Sequence, residues 1–259
     1  FLDSLASLNL INDIPNITAV EIEPDEAEKV GNNYKDNANV HVLNEDFLDF
    51  YQRVYGKETY DLILGNPPYI RYQYLTEEQR EIQSSILTSH GMKSNKLINA
   101  WVAFLVACVQ LLSENGKIAF VIPAEILQVV YAEDLRLFLS NQLSKITLLT
   151  FEQLVFPDIE QEILVFIGEK GKEEKGIRII ELSNLEDFKK LDLNSNGFQK
   201  LKHVKEKWTK YFVSAEEIKV IQSIRDDKRF TKFADLALIN VGITTGNNSY
   251  FSVDKTTNE

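Results

Sequence analysis

Short apolar runs alternate with longer helical patterns through the first two-thirds of the chain, and this alternation is the strongest constraint on the fold. The runs that predict strands are Ile17–Ile22, Val40–Leu43, Tyr60–Leu64, Gly116–Ile122, Ile146–Thr150 and Glu162–Ile167. The run Tyr60–Leu64 is expected to be buried, and the apolar-rich segment Leu97–Leu112 predicts a buried helix. Strands that alternate with helices are typical of a parallel or mostly parallel sheet covered by helices, so an α/β fold is predicted.

Composition narrows the class of protein. The 259 residues are 44% hydrophobic and 26% charged, which is ordinary for a soluble globular protein, and no apolar stretch is long enough to cross a bilayer. The single cysteine, Cys108, cannot form an internal disulfide, so a cytoplasmic setting is expected. The three histidines are scattered, and no metal site is predicted. The net charge of −11 indicates either that the partner is not a nucleic acid or that the basic surface is local or lies outside these residues.

The residues Asn66, Pro67, Pro68 and Tyr69 directly follow the run Tyr60–Leu64. Ligands of open α/β sheets gather at the carboxyl ends of strands, which is where this turn is expected. Two prolines fix φ and remove two N–H donors, leaving a stiff turn rich in carbonyl acceptors. Such a turn suits a planar amino group, which can donate to Asn66 and the Pro67 carbonyl while its ring stacks on Tyr69. The alternative is an ordinary turn after a strand.

This tetrapeptide resembles the Asn-Pro-Pro-Tyr signature of amino-group methyltransferases. The order of the segments around it is similar to that of gamma-class, adenine-specific DNA methyltransferases, as in the modification parts of type II/IIG or type I restriction–modification enzymes. The resemblance implies a Rossmann-like sheet of the S-adenosylmethionine-dependent kind, with helices on both faces and the start of a second domain. It implies double-stranded DNA as substrate, transfer to the 6-amino group of a flipped adenine, and fused or separate restriction and specificity modules as partners, with no membrane.

The resemblance also assigns roles to single residues. It makes Asn66, Pro67 and Tyr69 catalytic, together with Phe156, whose ring would pack on the flipped base opposite Tyr69. The positions that match cofactor-binding residues of the family are Glu21 for the ribose hydroxyls, Ile22 for the adenine ring, Asp46 for the adenine 6-amino group, Phe47, Pro68 and Phe104. From the residues alone, an acidic residue after a strand is usually a solvated cap, and Phe104 is equally well explained as part of a helix core.

The resemblance suggests that the chain is divided into three parts. Residues 1–170 are expected to be the methyltransferase catalytic domain, 171–230 a hairpin and a basic connecting segment, and 231–259 the beginning of a target-recognition domain. The glycine-rich cofactor loop of the family is expected before Phe1, and without it cofactor binding is expected to be weak. The polar loop that starts at Arg71 is expected beside the target pocket.

Other functions compete with DNA adenine methylation. The same tetrapeptide occurs in enzymes that methylate a glutamine side-chain amide in proteins and in RNA guanine methyltransferases, so a different planar acceptor stays open. A cofactor-free scaffold is a second alternative, which the intact tetrapeptide disfavours. Cytosine C5 methylation is excluded because it needs a reactive thiolate on a loop, and Cys108 lies within a predicted apolar helix.

Overall fold

The alternation of strands and helices is present in the computed structural model, which describes residues 1–94, 98–152, 162–193, 197–202, 205–213 and 215–238. The strands are β1 (Ile17–Glu21), β2 (Val40–Asn44), β3 (Tyr60–Gly65), β4 (Leu112–Pro123), β5 (Lys145–Phe151), β6 (Ile163–Glu169), β7 (Gly176–Leu182) and β8 (Gln199–Lys200). The helices are α1 (Leu2–Ser7), α2 (Pro24–Asn33), α3 (Phe47–Val54), α4 (Glu77–Ser89), α5 (Ala100–Leu111), α6 (Glu133–Gln142), α7 (Leu185–Lys189), α8 (Ala215–Asp226) and α9 (Phe233–Leu236). No helix within the described ranges has the length and hydrophobicity needed to cross a membrane.

The strands pair in two groups. β1 and β2 form a parallel pair, and the others form one sheet in the order β3-β4-β6-β5-β7-β8. The pairs β3–β4 and β5–β7 are parallel, whereas β6 runs antiparallel to both of its neighbours. The sheet is therefore mixed rather than mostly parallel, because β6 inserts between β4 and β5 in the opposite direction.

β3 is less buried than its apolar sequence predicts. Leu62 and Leu64 are 52% and 37% exposed, and they lie on the same face of the strand because side chains alternate along it. Within the described residues β4 is the strand that pairs with β3, so β3 occupies an edge of the sheet. The prediction that this strand is buried is wrong, because an edge strand has a neighbouring strand on one side only.

α5 forms the centre of the core. Its apolar residues cover all faces rather than one stripe, which is typical of a helix buried on every side. Trp101, Leu105 and Cys108 are buried, and α5 contacts α4, α6 and β4. The buried helix predicted in this region is confirmed for residues 100–111. Cys108 packs in the core, and its burial raises the pKa of the thiol, which disfavours the nucleophilic thiolate.

After residue 170, β7 and β8 continue the main sheet. The chain divides into two compact units, Phe1–Phe212 and Val213–Glu259. β7 pairs with β5, and Trp208 and Tyr211 are buried within the first unit. The hairpin predicted between β6 and β7 is wrong, because β5 lies between these strands and pairs with both of them.

The buried indole of Trp208 provides a test of this arrangement. Trp208→Ala is expected to lower the free energy of unfolding by about 3–5 kcal/mol, because it leaves a large cavity in the first unit. Urea denaturation followed by circular dichroism measures the loss. Tyr74→Ala is the control, since Tyr74 is 71% exposed and its loss is expected to stay within about 0.5 kcal/mol. A loss of less than about 1 kcal/mol in Trp208→Ala would contradict the packing described here.

Candidate functional site

The turn after β1 is held by β2. Glu21 lies opposite Asn44 in the parallel register, and the Asn44 side-chain amide donates to the carbonyls of Glu21 and Ile22, both at 3.0 Å. The Glu21 carboxylate accepts the backbone N–H of Glu23 at 2.9 Å, which orients it. Ile22 is 52% exposed although it is apolar. This strand end therefore presents an oriented carboxylate next to an uncovered apolar side chain.

Asp46 follows β2 and is the N-cap of α3. Its Oδ1 accepts the backbone N–H of Leu48 at 2.7 Å, and its Oδ2 accepts the side-chain amide of Gln79 at 2.9 Å. The partial positive charge at the helix N-terminus favours a carboxylate at this position. Because each carboxylate oxygen has two lone pairs, Asp46 can still accept from a further donor.

Phe47 and Phe104 form a stacked aromatic pair. Their ring centroids lie 4.7 Å apart, and the planes are inclined by 24°. Phe47 is the first residue of α3 and Phe104 lies in α5, and both side chains are half-buried. The structure therefore brings together Asp46 and these two phenylalanines, all of which the resemblance assigns to the cofactor.

The Asn66–Tyr69 turn begins where β3 lies close against β4. A Cβ atom on Gly65 would lie 2.6 Å from a ring carbon of Phe120, so glycine permits this close approach. After Gly65 the chain leaves the sheet, with Asn66 exposed and Pro67 buried. The turn is thus placed by the close packing of Gly65 against Phe120 of β4 as well as by its two prolines.

The Tyr69 hydroxyl anchors this turn. Its oxygen lies 3.0 Å from the backbone carbonyl of Val121 in β4 and 3.1 Å from Asn66 Oδ1. The single phenolic proton can be donated to one of these acceptors at a time, so the hydroxyl is shared between them. Burial raises the pKa of Tyr69 to about 12, so the phenol is neutral near pH 7. Asn66 Oδ1 retains a lone pair for another donor.

One helix joins the turn to the aromatic pair. The backbone N–H of Ala100, at the start of α5, donates to the carbonyl of Ile70 at 2.9 Å. Phe104 lies one turn further along the same helix. The acceptor-rich turn and the Phe47–Phe104 pair are therefore both held by α5. At the same helix start, Asn99 Oδ1 is buried without a hydrogen-bond partner among the described residues.

Sequence motifs alone do not reveal two residues of this region. Asn44 clamps the turn after β1, and Gln79 contacts Asp46 from α4. Gln79 does carry a detectable signal, because Thr76 and Gln79 have the spacing of a capping box and form one. That pattern predicts the start of a helix, but it does not predict the contact with Asp46.

Some predicted positions are not part of this geometry. Phe156 lies outside the described residues, as does the tail 239–259. Pro68 and Arg71 are exposed. In the part of the chain that the structure describes, no group of three or more His, Cys, Asp and Glu side chains could hold a metal ion.

Comparison with known proteins identifies the family. Residues 4–156 match the family described as Eco57I restriction-modification methylase. The chain belongs to this family. Residues 205–259 match the C-terminal domain of the type II methyltransferase M.Eco57I. The predicted resemblance to restriction–modification methyltransferases is therefore confirmed.

A curated relative supports the same assignment. The type II methyltransferase M.AccI from Acinetobacter calcoaceticus is 26% identical over 250 residues, which cover 92% of this chain and 44% of the relative. The chain spans less than half the length of the curated relatives that it matches over almost its whole length.

Solved structures confirm the fold. A type I restriction–modification methyltransferase subunit from Streptococcus thermophilus has a TM-score of 0.57 at 19% identity, covering 87% of this chain and 46% of that one. A putative class I S-adenosylmethionine-dependent methyltransferase from Listeria monocytogenes has a TM-score of 0.53 at 17% identity, covering 70% and 54%. The predicted Rossmann-like methyltransferase fold is confirmed, and the family and fold imply S-adenosylmethionine as cofactor.

The anchor of the turn generates a stability prediction. Tyr69→Phe removes the hydroxyl that joins the turn to β4, and it is expected to lower the free energy of unfolding by about 0.5–1.5 kcal/mol. The pKa of Tyr69 is raised to about 12, so the loss is expected to be equal at about pH 6 and pH 9, and to shrink only above about pH 10, where the unfolded phenol ionises. Urea denaturation measures it, with Tyr74→Phe as the exposed control. An unchanged midpoint for Tyr69→Phe would contradict the anchor.

Proposed function

We propose that this chain carries the catalytic core of a DNA methyltransferase that transfers a methyl group from S-adenosylmethionine to the 6-amino group of adenine. The observation that carries the proposal is the acceptor-rich turn Asn66–Tyr69, which is anchored to β4 and joined through α5 to the Phe47–Phe104 pair. This turn follows the carboxyl end of β3, where ligands of open α/β sheets bind. The family assignment supports methyl transfer within a restriction–modification system.

The turn recognises the amino group through two oxygen acceptors. Asn66 Oδ1 and the Pro67 carbonyl accept its two hydrogens, which draws the nitrogen towards tetrahedral geometry and localises its lone pair. The contact from the Tyr69 hydroxyl orients the Asn66 side chain in advance, so little reorganisation is needed when the substrate arrives. No strong base is required to start the reaction, because the attacking nitrogen is neutral. As the bond between nitrogen and the methyl carbon forms, the bond from that carbon to sulfur breaks and leaves a neutral thioether, and the methylated nitrogen then releases one proton to water. Pro68, exposed on the turn, is assigned to the cofactor side.

The residues of the neighbouring strand ends fit S-adenosylmethionine. Ile22 offers uncovered apolar surface beside the oriented carboxylate of Glu21, a combination that suits an adenosine group. Asp46 keeps lone pairs for the adenine 6-amino group, and Phe47 and Phe104 supply an aromatic wall. When bound, the cofactor supplies an electrophilic methyl group carried on sulfonium. The chain's own residues hold the adenosine and align the acceptor nitrogen with that methyl group.

Double-stranded DNA is the proposed substrate, with the target adenine rotated out of the helix. Extrusion of a base costs a few kcal/mol. We assign Tyr69 and Phe156 to opposite faces of the extruded base, because stacking on an aromatic side chain contributes roughly 1–3 kcal/mol per base. Exposed Arg71 lies just beyond the turn and is assigned to the DNA backbone.

We assign different roles to successive segments of the chain. Residues 1–170 are assigned to the catalytic part and 231–259 to the beginning of the target-recognition domain. Of the connecting segment 171–230, the part up to Phe212 belongs to the same compact unit as the catalytic part. The match of residues 205–259 to a type II methyltransferase C-terminal domain supports a separate domain at the C-terminal end of this chain. Restriction and specificity modules, fused or separate, are the proposed partners.

Asn66→Ala tests the acceptor role directly. Loss of one of the two acceptors is expected to reduce methyl transfer by about 100-fold or more, while cofactor affinity and the circular dichroism spectrum stay unchanged. Asn33→Ala, at the exposed end of α2, is the matched control and is expected to keep full activity. Full activity in Asn66→Ala would refute the acceptor role.

The chemical nature of the acceptor is tested with radiolabelled S-adenosylmethionine. When the full-length protein is incubated with duplex DNA, RNA and protein extract in separate reactions, label is expected in DNA, and nuclease digestion is expected to yield N6-methyladenine. Label in a glutamine side chain or in RNA guanine would instead assign the same turn to one of the alternative acceptors.

A further inference from the structure

The carboxylate of Asp46 is held from two directions. The N-cap bond from Leu48 engages Oδ1, and the amide of Gln79 engages Oδ2. The terminal torsion of an aspartate is broad, so a single hydrogen bond leaves its carboxylate plane poorly defined. A second donor on the other oxygen restricts that plane. Gln79 therefore controls the orientation of Asp46, although it lies on a different helix.

Gln79 uses both ends of its carboxamide. Its Oε1 accepts the backbone N–H of Thr76 at 3.2 Å, and its own backbone N–H donates to Thr76 Oγ1 at 3.2 Å, which completes the capping box of α4. Its Nε2 donates to Asp46. Glutamate and glutamine serve equally well at this position of a capping box. A glutamine is required only for the contact with Asp46, because a glutamate there would place a second carboxylate against the first.

The same turn of α4 also holds the loop that follows the Asn66–Tyr69 turn. Arg80 donates from Nε to the carbonyl of Tyr72 at 3.1 Å and from a terminal nitrogen to the carbonyl of Gln73 at 2.8 Å. Its guanidinium also lies over the Tyr72 ring, 5.2 Å from the centroid. Consecutive residues, Gln79 and Arg80, thus connect the predicted cofactor carboxylate to the loop beside the acceptor turn.

We propose that Gln79 is a positioning residue that aims the Asp46 carboxylate at the 6-amino group of the cofactor's adenine and makes the site selective for adenosine over a 6-oxo purine nucleoside. This inference rests on the proposed function, since it requires that Asp46 bind the cofactor. A 6-oxo group would present an oxygen to the carboxylate instead of a donor, so the discrimination depends on how firmly Asp46 is held. Gln79 acts through Asp46 and does not touch the reacting atoms.

Gln79→Glu is the most informative variant. It keeps the capping box and adds a negative charge near a helix N-terminus, so the fold is expected to be retained or stabilised. It replaces the donor to Asp46 by a like charge, and the affinity for S-adenosylhomocysteine is expected to fall roughly tenfold or more. Gln79→Ala is a second variant that removes the donor without adding charge. Gln52→Glu is the matched control, because Gln52 is exposed on α3.

The measurement is calorimetric titration of the full-length protein with S-adenosylhomocysteine and with S-inosylhomocysteine, its 6-oxo analogue. The preference is the ratio of the Kd for S-inosylhomocysteine to the Kd for S-adenosylhomocysteine. Both Gln79 variants are expected to lower this ratio by about threefold or more, whereas Gln52→Glu leaves it unchanged. Equal losses for both ligands, or no loss, would overturn the proposal in favour of a structural role. Asp46→Ser tests the cofactor role of Asp46 separately from the positioning role of Gln79, because serine still caps α3 but lacks the second oxygen. If Asp46→Ser binds S-adenosylhomocysteine with normal affinity, the assignment of Asp46 to the cofactor is wrong. If Asp46→Ser binds this ligand weakly while both Gln79 variants bind it normally, only the role of Gln79 is wrong.

Discussion

The hydrogen bond from the Tyr69 hydroxyl to the backbone of β4 is the contact on which the rest of the site depends. Two prolines make the turn stiff, but stiffness does not determine where a turn lies. Its position comes from the Tyr69 hydrogen bond to β4, from the close approach of Gly65 to β4 on one side, and from the bond between Ile70 and Ala100 on the other. The turn is therefore tied at three points to elements of the buried core, and its acceptors are held in place before any ligand binds.

The cofactor side of the site is assembled from helix starts. Asp46 caps α3, Thr76 caps α4, and Ala100 begins α5. Helix N-termini leave unpaired backbone N–H groups, which side-chain oxygens satisfy and which favour negative charge. Because the unpaired N–H groups at these helix starts need oxygen acceptors, a carboxylate and a carboxamide lie in the same region as the aromatic pair. The acidic net charge is compatible with this chemistry, because the proposed interactions with the cofactor use carboxylate oxygens rather than cationic side chains.

The local elements of this site could be predicted from the sequence, whereas their tertiary partners could not. The strand run before Asn66 and the acidic residue before Phe47 carry short-range signals, and both lie where those signals indicate. The stacking of Phe47 on Phe104 joins distant segments, and the family resemblance assigns both rings to the cofactor without predicting their contact. The contact between Gln79 and Asp46 has no sequence pattern at all. The prediction of a mostly parallel sheet was wrong for the same reason. An apolar run does not reveal that β6 lies between β4 and β5 and runs antiparallel to both.

Two oxygens of a preorganised turn are proposed to bind the amino group that accepts the methyl group. A crystal structure of the full-length protein with duplex DNA and a non-transferable cofactor analogue would locate that amino group. The adenine 6-amino nitrogen is expected to lie about 2.7–3.2 Å from both Asn66 Oδ1 and the Pro67 carbonyl oxygen, on the side that faces the sulfonium position. An amino nitrogen more than about 4 Å from both oxygens in a complex with the base extruded would contradict it.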